Sequence, residues 1–176
     1  MDEIKIPKER IAVLIGKKGE TKRKISRLTK TRIQVSSKEG DIVIDGEDGL
    51  NIYTAKKIIN AIGRGFNPEI ALNLLEENND IEIINIQEFS RNARNDLTRI
   101  KSRLIGRDGK VRKLIEQLAN VDISIYGKTI SIIGNYNHLN MARHAIINLL
   151  NGSKHGNVYG YLEKQRKIYK EVPYSK

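Results

Sequence analysis

Two short glycine loops are the part of this sequence whose residue types and spacing suggest a specific chemistry. The stretches Gly16-Lys17-Lys18-Gly19 and Gly106-Arg107-Asp108-Gly109 each place two glycines three residues apart. Glycine lets a backbone turn tightly and approach another backbone closely. The helix expected after each loop presents unpaired N–H groups, which favour a phosphate group. The pattern therefore predicts two sites that hold the phosphate backbone of a nucleic acid.

Basic residues surround both loops and continue along the helix expected after each one. One residue does not fit, because Asp108 places a carboxylate where a phosphate should come close, and we expect it to cap the following helix and point away from the nucleic acid. The candidate binding residues are Gly16, Lys17, Lys18, Gly19, Lys22, Arg23, Arg103, Ile105, Gly106, Arg107, Asp108, Gly109, Lys110, Arg112 and Lys113.

The loops belong to an internal repeat with an offset of 90 residues. Leu14-Ile15 before the first loop matches Leu104-Ile105 before the second, and Ile25 and Leu28 match Ile115 and Leu118. Apolar and glycine positions recur while polar ones differ, as in a duplicated fold. A single loop of this spacing is weak evidence, but two in register within one repeat are strong evidence.

Each copy predicts the order strand, helix, loop, helix, strand, strand, helix, and thus the α+β class. Hydrophobic periodicity separates the helices from the strands. In the first copy we expect strands over 3–6, 32–35 and 41–44 and helices over 8–15, 20–28 and 50–62, with Ile25 and Leu28 on one apolar helix face. In the second we expect strands over 81–86, 121–125 and 129–133 and helices over 97–105, 111–118 and 139–150.

The segment between the copies predicts an ordered connection. Asn67-Pro68-Glu69 is a good helix start, so we expect a helix over 68–77 that docks onto one or both modules, and an irregular insertion over 88–96. The expected organisation is a first module over 1–66, a connecting helix within 67–79, a second module over 80–152 and a basic helical tail over 153–176.

Composition favours a polyanionic partner and excludes several classes of site. The 176 residues carry a formal net charge of +11, with +6 over 1–66, −5 over 67–96, +6 over 97–151 and +4 over 152–176. Such a balance points to nucleic acid. With no cysteine and three histidines, disulfides, thiolate metal sites and cysteine nucleophiles are excluded and a histidine metal site is disfavoured. No apolar run approaches the ~20 residues of a membrane span, and the short, charged stretch Met1 to Pro7 does not resemble a signal peptide, so we expect a soluble cytoplasmic protein.

Other candidate sites have simpler interpretations. Acidic residues at Glu76-Glu77 with Asp80, and at Asp45 to Asp48, could in principle hold magnesium, but we interpret both groups as solvated surface. Val158, Tyr161, Leu162 and Ile168 predict one helical stripe in the tail, and we favour packing over a binding role for it. The tail tyrosines are Tyr159, Tyr161, Tyr169 and Tyr174.

The repeated Ile-Gly-x-x-Gly motif in this order of elements resembles the type I KH domain, whose glycine loop clamps about four nucleotides of single-stranded RNA. The resemblance implies two tandem KH domains of the order β-α-α-β-β-α, with bases in an apolar groove beside each loop. Groove positions would include the isoleucines of each copy, for which core packing is the alternative. These are Ile15, Ile25, Ile33, Ile105, Ile115 and Ile123.

The whole chain, including IGRGFNPEIALNLLEENNDIEIINI and the tail GSKHGNVYGYLEKQRK, resembles the archaeal KH-domain ribosome-assembly proteins of the Partner-of-Nob type. This resemblance implies a non-catalytic factor that binds the 3′ end of small-subunit ribosomal RNA without a cofactor, and no preference for DNA. It also implies the endonuclease Nob and the alpha subunit of translation initiation factor 2 as partners. Eukaryotic relatives lack an intact first loop, so RNA binding by the first module here stays open, and the second module is the expected principal binder.

Two other functional hypotheses remain open from the sequence. One is an adapter that docks a nuclease or an initiation-factor subunit through the acidic middle segment and the tail. The other is a general tandem-KH regulator that binds RNA. A nuclease activity of the chain itself is disfavoured, because no catalytic triad or phosphate-binding P-loop is recognisable.

Overall fold

The computed structural model describes residues 1–36, 39–90 and 93–171. The chain divides into two compact units, Met1–Ile81 and Glu82–Lys176. Each repeat contributes one three-stranded sheet to this mixed α+β architecture. In the described residues, no helix is both long enough and apolar enough to cross a bilayer.

The first unit places helices on one side of its sheet. Strand order is β1-β3-β2, and the antiparallel register sets Ile4 opposite Ile42 and Ile33 opposite Ile44. Because paired residues share a face of the sheet, these isoleucines form one apolar layer, in which Ile42 and Ile44 are fully buried. The elements are β1 Asp2–Lys5, α1 Lys8–Ile15, α2 Glu20–Thr29, β2 Arg32–Val35, β3 Asp41–Asp45 and α3 Gly49–Gly63.

The connecting helix is shorter than the sequence predicts. Helix α4 spans Pro68–Ala71, and a 3₁₀ turn comes next over Leu72–Leu75. The tighter turn has three residues per turn, so it keeps Ala71 and Leu74 on the same buried side, while Leu75 is 36% exposed. Both the helix and the turn pack on α3, which makes the connection a part of the first unit.

The second unit repeats the same order and adds a long last helix. Its strand order is β4-β6-β5, and β5 and β6 pair antiparallel across the two-residue turn Gly127-Lys128, where Gly127 has φ +56°. The elements are β4 Asn79–Asn85, α5 Ala93–Ile105, α6 Lys110–Ala119, β5 Asp122–Tyr126, β6 Thr129–Asn135, α7 Tyr136–Leu150 and α8 His155–Glu171.

The segment expected to be an irregular insertion is largely helical. A 3₁₀ turn covers Ile86–Phe89, and α5 begins at Ala93 rather than at Leu97. The stretch from Ala93 to Asp96 is mostly polar, so hydrophobic periodicity gives no signal there. An ion pair one turn into the helix, between Arg99 Nη2 and Asp96 Oδ1 at 3.0 Å, is a local interaction of the helical conformation.

The tail helix α8 packs on α6 and α7. Val158 and Leu162 are 2% and 0% exposed, whereas Ile168, which we expected on the same stripe, is 43% exposed. The stripe continues instead through Tyr169, which contacts His138 edge to face at 6.2 Å between ring centroids. Residue 169 lies seven residues after Leu162, two helical turns on, and 168 falls off that face. Tyr174 lies outside the described residues.

Leu28 also departs from expectation, because it is 44% exposed although its counterpart Leu118 is 9% exposed. Helix α8 packs on α6, which carries Leu118. In the first unit the segment after α3 packs on α3, and α2 keeps only Ile25 and Thr29 buried.

Candidate nucleic-acid interface

The two glycine loops have almost the same backbone path. In the first, the N–H of Gly16 donates to the carbonyl of Ala12 at 2.9 Å, which ends α1, and the N–H of Gly19 donates back to Gly16 at 3.1 Å. In the second, Gly106 donates to Ser102 at 2.9 Å and Gly109 donates to Gly106 at 3.3 Å. Each loop is thus a single tight turn between two helices.

Contact with the next helix explains the first glycine of each loop. Gly16 and Gly106 have φ of +72° and +71°, a region that side chains rarely adopt. A Cβ at Gly16 would lie 2.2 Å from Oγ1 of Thr21, and one at Gly106 would lie 2.3 Å from Cγ2 of Val111. The loop therefore presses directly against the first turn of α2 or α6, so that the backbone N–H groups of that turn lie beside it.

The third loop position carries a different charge in each copy. Lys18 and Asp108 both adopt the left-handed conformation, with φ of 52° and 53°, and both side chains are exposed. Asp108 does not cap α6 as we expected, because the N-cap is Gly109 and no side-chain cap hydrogen bond is present. The carboxylate of Asp108 therefore belongs to the exposed surface of the second loop.

The first loop presents two cations and is braced by a third. Lys17 and Lys18 are exposed. Nη2 of Arg23 donates to the backbone carbonyl of Lys18 at 2.8 Å, which ties the loop to α2. Lys22 is half-buried on the same helix. The structure thus brings the predicted residues of the first module together on one loop and one helix turn.

The second loop presents Arg107, with Lys110 and Lys113 exposed on the next helix. Arg112 is partly diverted, because its Nε lies 3.7 Å from a carboxylate oxygen of Glu116. The other Glu116 oxygen accepts the N–H of Ile123 at 2.8 Å. Glu116 is half-buried and hydrogen-bonded to β5, so its carboxylate belongs to the packed side of α6, and this burial raises its pKa.

Arg103 has a different position from the one we predicted. Its guanidinium donates to the backbone carbonyl of Ser153, and its own carbonyl accepts a hydrogen bond of 3.0 Å from Nε2 of His155. Both bonds join α5 to the start of α8. We therefore assign Arg103 to the anchoring of the tail, and His155 shares this structural role.

The predicted groove isoleucines separate into core and surface. Ile25 and Ile115 are fully buried, and Ile33 and Ile123 are 4% exposed, so these four are core residues. The residue directly before each loop is more accessible, since Ile105 is 38% exposed and Ile15 is half-buried. Of the six isoleucines, only Ile15 and Ile105 are accessible enough for an apolar contact with a base.

Some supporting residues had no sequence signal. Nε and Nη2 of Arg10 donate to the carbonyls of Ile62 at 2.7 Å and Phe66 at 2.8 Å, which fixes α1 against the end of α3. Asp48, which we interpreted as solvated surface, accepts the N–H of Leu50 at 2.9 Å and caps α3.

Among the residues that the structure describes, no group of three acidic or histidine side chains is arranged to hold a metal ion.

Family models match both repeats. Residues 80–167 match the model described as the eukaryotic type KH domain, KH-domain type I, and residues 1–61 match the KH domain model. The chain is 38% identical over 173 residues to the KH domain-containing protein MJ0443 of Methanocaldococcus jannaschii, covering 96% of this chain and 75% of that one. It is 32% identical over 114 residues to the pre-rRNA-processing protein PNO1 of Candida albicans, covering 64% of this chain and 41% of that protein.

Solved structures give the same grouping. Dim2p from Pyrococcus horikoshii superposes with a TM-score of 0.87 at 46% identity, covering 93% of this chain and 98% of that one. The a/eIF2alpha-aDim2p-rRNA complex from the same organism gives a TM-score of 0.89 at 46% identity, with coverage of 95% and 94%. These matches span nearly the whole chain, and both repeats match KH models. The chain therefore belongs to the KH-domain, RNA-binding pre-rRNA-processing family of the Pno/Dim type.

Proposed function

We propose that this protein is a non-catalytic factor in assembly of the small ribosomal subunit that binds the 3′ end of its ribosomal RNA. The observation that carries the proposal is the pair of glycine loops with matching backbone geometry, each exposing cations. In this mechanism each loop clamps the RNA backbone, and the bases lie in the apolar groove next to Ile15 or Ile105. The protein positions RNA and supplies no reacting group.

The second module is the proposed principal binder, on the basis of its family resemblance. Charge alone favours the first loop, because Asp108 stands where that loop has Lys18. The two interpretations are separable, because Lys17 and Lys18 can be changed without touching the second loop. The side chains of Lys17, Lys18 and Asp108 are all exposed, so their replacement should leave both units folded.

The test is a binding titration with a single-stranded RNA that matches the 3′ end of small-subunit ribosomal RNA. A shuffled strand and a duplex of equal length serve as competitors, at two salt concentrations. Preferential, salt-sensitive binding of the matched strand is expected. We expect Arg107→Asp to weaken it by about tenfold or more, and the double change of Lys17 and Lys18 to Asp to weaken it less. Equal binding of all three RNAs would contradict the proposed function.

A second candidate function is docking of the alpha subunit of initiation factor 2, alone or together with the endonuclease Nob. The observation that favours it is the structural neighbour described as a complex with a/eIF2alpha and rRNA. In this chain Glu69, Glu76 and Glu77 are exposed after α3 and offer an acidic surface. Capture of the purified alpha subunit should survive the loop variants, and its loss with Arg107→Asp would mean that the contact depends on RNA.

A further inference from the structure

The exposed face of the tail helix α8 is strongly basic. Lys164, Arg166 and Lys167 are exposed, and among the described side chains of this helix Glu163 is the one exposed carboxylate. In the described part of the chain, none of the three cations forms an ion pair. Like charges on one helix repel one another, and among the described side chains of α8 only the Glu163 carboxylate offsets these three cations.

Packing of the opposite face fixes the direction in which these cations point. Val158 and Leu162 are buried between α8 and the two helices beneath it. Tyr161 contacts His144 at 5.2 Å between ring centroids, and Tyr169 contacts His138 at 6.2 Å. Because the apolar stripe is anchored along the length of the helix, Lys164, Arg166 and Lys167 are held outward and are available to another molecule.

The tail begins next to the second glycine loop. His155, the first residue of α8, donates to the carbonyl of Arg103, which lies three residues before Gly106. Helix α8 also packs on α6, the helix that leads away from the loop with Lys110 and Lys113 exposed. The basic face of α8 and the loop cations thus belong to neighbouring elements of one unit.

We propose that the outward face of α8 is a further RNA-backbone contact, which lengthens the site of the second loop beyond the nucleotides that the loop clamps. The inference rests on the proposed function. A polyanion is favoured because the cations point outward from a helix that begins beside a loop of the phosphate-binding type and packs on the helix after that loop. Contacts with about three phosphates through Lys164, Arg166 and Lys167 make binding depend on RNA length rather than on sequence.

The test compares a four-nucleotide and a twelve-nucleotide single-stranded RNA that share the same loop-binding sequence, because a KH loop holds about four nucleotides. Changing all three tail cations to Gln should lower the affinity for the twelve-nucleotide RNA by roughly tenfold or more and leave the affinity for the four-nucleotide RNA unchanged. At about 0.7 per phosphate, the slope of log affinity against log salt for the long RNA should become shallower by about 2. Gln is a good helix former, and circular dichroism checks that α8 persists.

Two controls separate the tail from total charge. One variant removes the same charge from exposed cations of the first unit, at Lys5, Lys8 and Arg32, and should bind the long RNA nearly as the wild type does. The other keeps the charge through Lys164→Arg, Arg166→Lys and Lys167→Arg, and should retain the length dependence.

Three results would decide against the inference or its basis. Equal loss of affinity in the first-unit control and the tail variant would mean a net-charge effect and overturn the tail contact. Unchanged binding of the long RNA by the Gln variant would overturn it too, and leave the face for a protein partner. If neither RNA binds the wild type, or if Arg107→Asp changes the affinity for neither RNA, the proposed function itself fails. Both results differ from those that overturn the tail contact alone.

Discussion

In each loop, the residue five positions after the first glycine fills the space that a side chain at that glycine would need. Thr21 does so in the first loop and Val111 in the second. A threonine and a valine have nearly the same shape, so the two loops keep one geometry although their charges differ. At the scale of single residues, the loop conformation is set by packing against the next helix, and the two residues between the glycines set the charge of the loop.

The two glycines of a loop should therefore differ in their tolerance of alanine. Gly16→Ala adds a contact of 2.2 Å with Thr21 to an unfavourable φ, so it should lower the free energy of unfolding by roughly 2–5 kcal/mol. Gly19→Ala meets nothing within 4 Å and should cost only the backbone strain, about 1–2 kcal/mol. Urea unfolding of both variants checks the order, and equal losses would contradict the packing explanation.

A second prediction at this scale concerns His138. Burial lowers the pKa of this imidazole, so folding favours its neutral form. Between the pKa of the unfolded chain, about 6.5, and the lower folded pKa, the unfolded state binds more protons. Stability should thus fall as pH drops below about 6.5.

Thermal unfolding from pH 7.5 to 5.5 measures this dependence. His138→Gln removes the titrating group and serves as the control, since it should flatten the profile over that range. A variant whose midpoint fell as steeply as that of the wild type would assign the dependence to other groups.

At the scale of elements, the tail helix shows how a helix with mixed faces is placed. The buried residues Val158 and Leu162 lie four apart, and Tyr169 continues the stripe seven residues later. This spacing matches the helical repeat. The interval from Leu162 to Ile168 does not, which leaves Ile168 at 43% exposure. Docking of α8 therefore depends on a few apolar contacts along the helix and on the hydrogen bonds of Arg103 and His155 at its start.

Truncation of two tail residues tests this assignment. Leu162→Ala empties a fully buried position and should lower the free energy of unfolding by about 2–5 kcal/mol. Ile168→Ala removes a half-exposed side chain and should cost well under half as much. Chemical denaturation with tyrosine fluorescence as the probe compares the two. A similar loss at both positions would mean that the tail packs through another face.

A glycine in the same helix gives the opposite expectation. Gly160 is exposed within α8, and a Cβ there would meet nothing within 4 Å. Gly160→Ala should therefore raise the free energy of unfolding of the region that includes α8 by about 0.5–1 kcal/mol, through helix propensity and the smaller entropy of the unfolded chain. Hydrogen exchange of the α8 amides measures the change, with Gly127→Ala in the β5–β6 turn as a control that should destabilise because Gly127 has φ +56°.

At the scale of the whole molecule, the same motif occurs twice, and the two copies differ in the segment that follows each one. The first repeat ends in a four-residue helix and a 3₁₀ turn, whereas the second ends in the 17-residue α8. Helix α8 packs on α6, in which Leu118 is buried, whereas the matching Leu28 of α2 is exposed. The net charge is positive in both modules and in the tail, and it is −5 in the segment between the modules. RNA is therefore expected on the modules and not on the connection.

Salt dependence is the prediction for the complete protein. A strand held by one loop neutralises about four phosphates, so log affinity should fall with log salt at a slope near −3 for a four-nucleotide RNA that carries a 5′ phosphate. A twelve-nucleotide RNA that also reaches the tail should give about −5. Filter-binding or fluorescence titrations at low and at high salt measure both slopes. Salt-insensitive binding would contradict a mechanism based on the loops.

Much of the fold could be predicted from the sequence, because local patterns encode it. The observed bounds of α1 and β2, Lys8–Ile15 and Arg32–Val35, are the predicted ones, and for α1 Pro7 and the glycine loop mark the two ends. The repeated glycine pairs identified the loops because a backbone turn with positive φ has few other solutions. The start of α5 was missed because it is polar and gives no apolar periodicity. The helix over 68–77 was predicted too long, because a 3₁₀ turn after α4 also keeps Leu74 buried.

The sequence by itself determined the two repeats, the glycine loops and the basic balance, since each is a property of residue type and spacing along the chain. Only the tertiary structure decided which side chains are available to a partner. Arg103 and Asp108 look equally accessible in sequence, yet Arg103 anchors α8 and Asp108 is exposed on the loop. Leu28 and Leu118 occupy matching apolar positions, yet Leu118 is buried and Leu28 is exposed. Availability depends on segments that are far apart in the chain and close in space, and no local pattern records which of them meet.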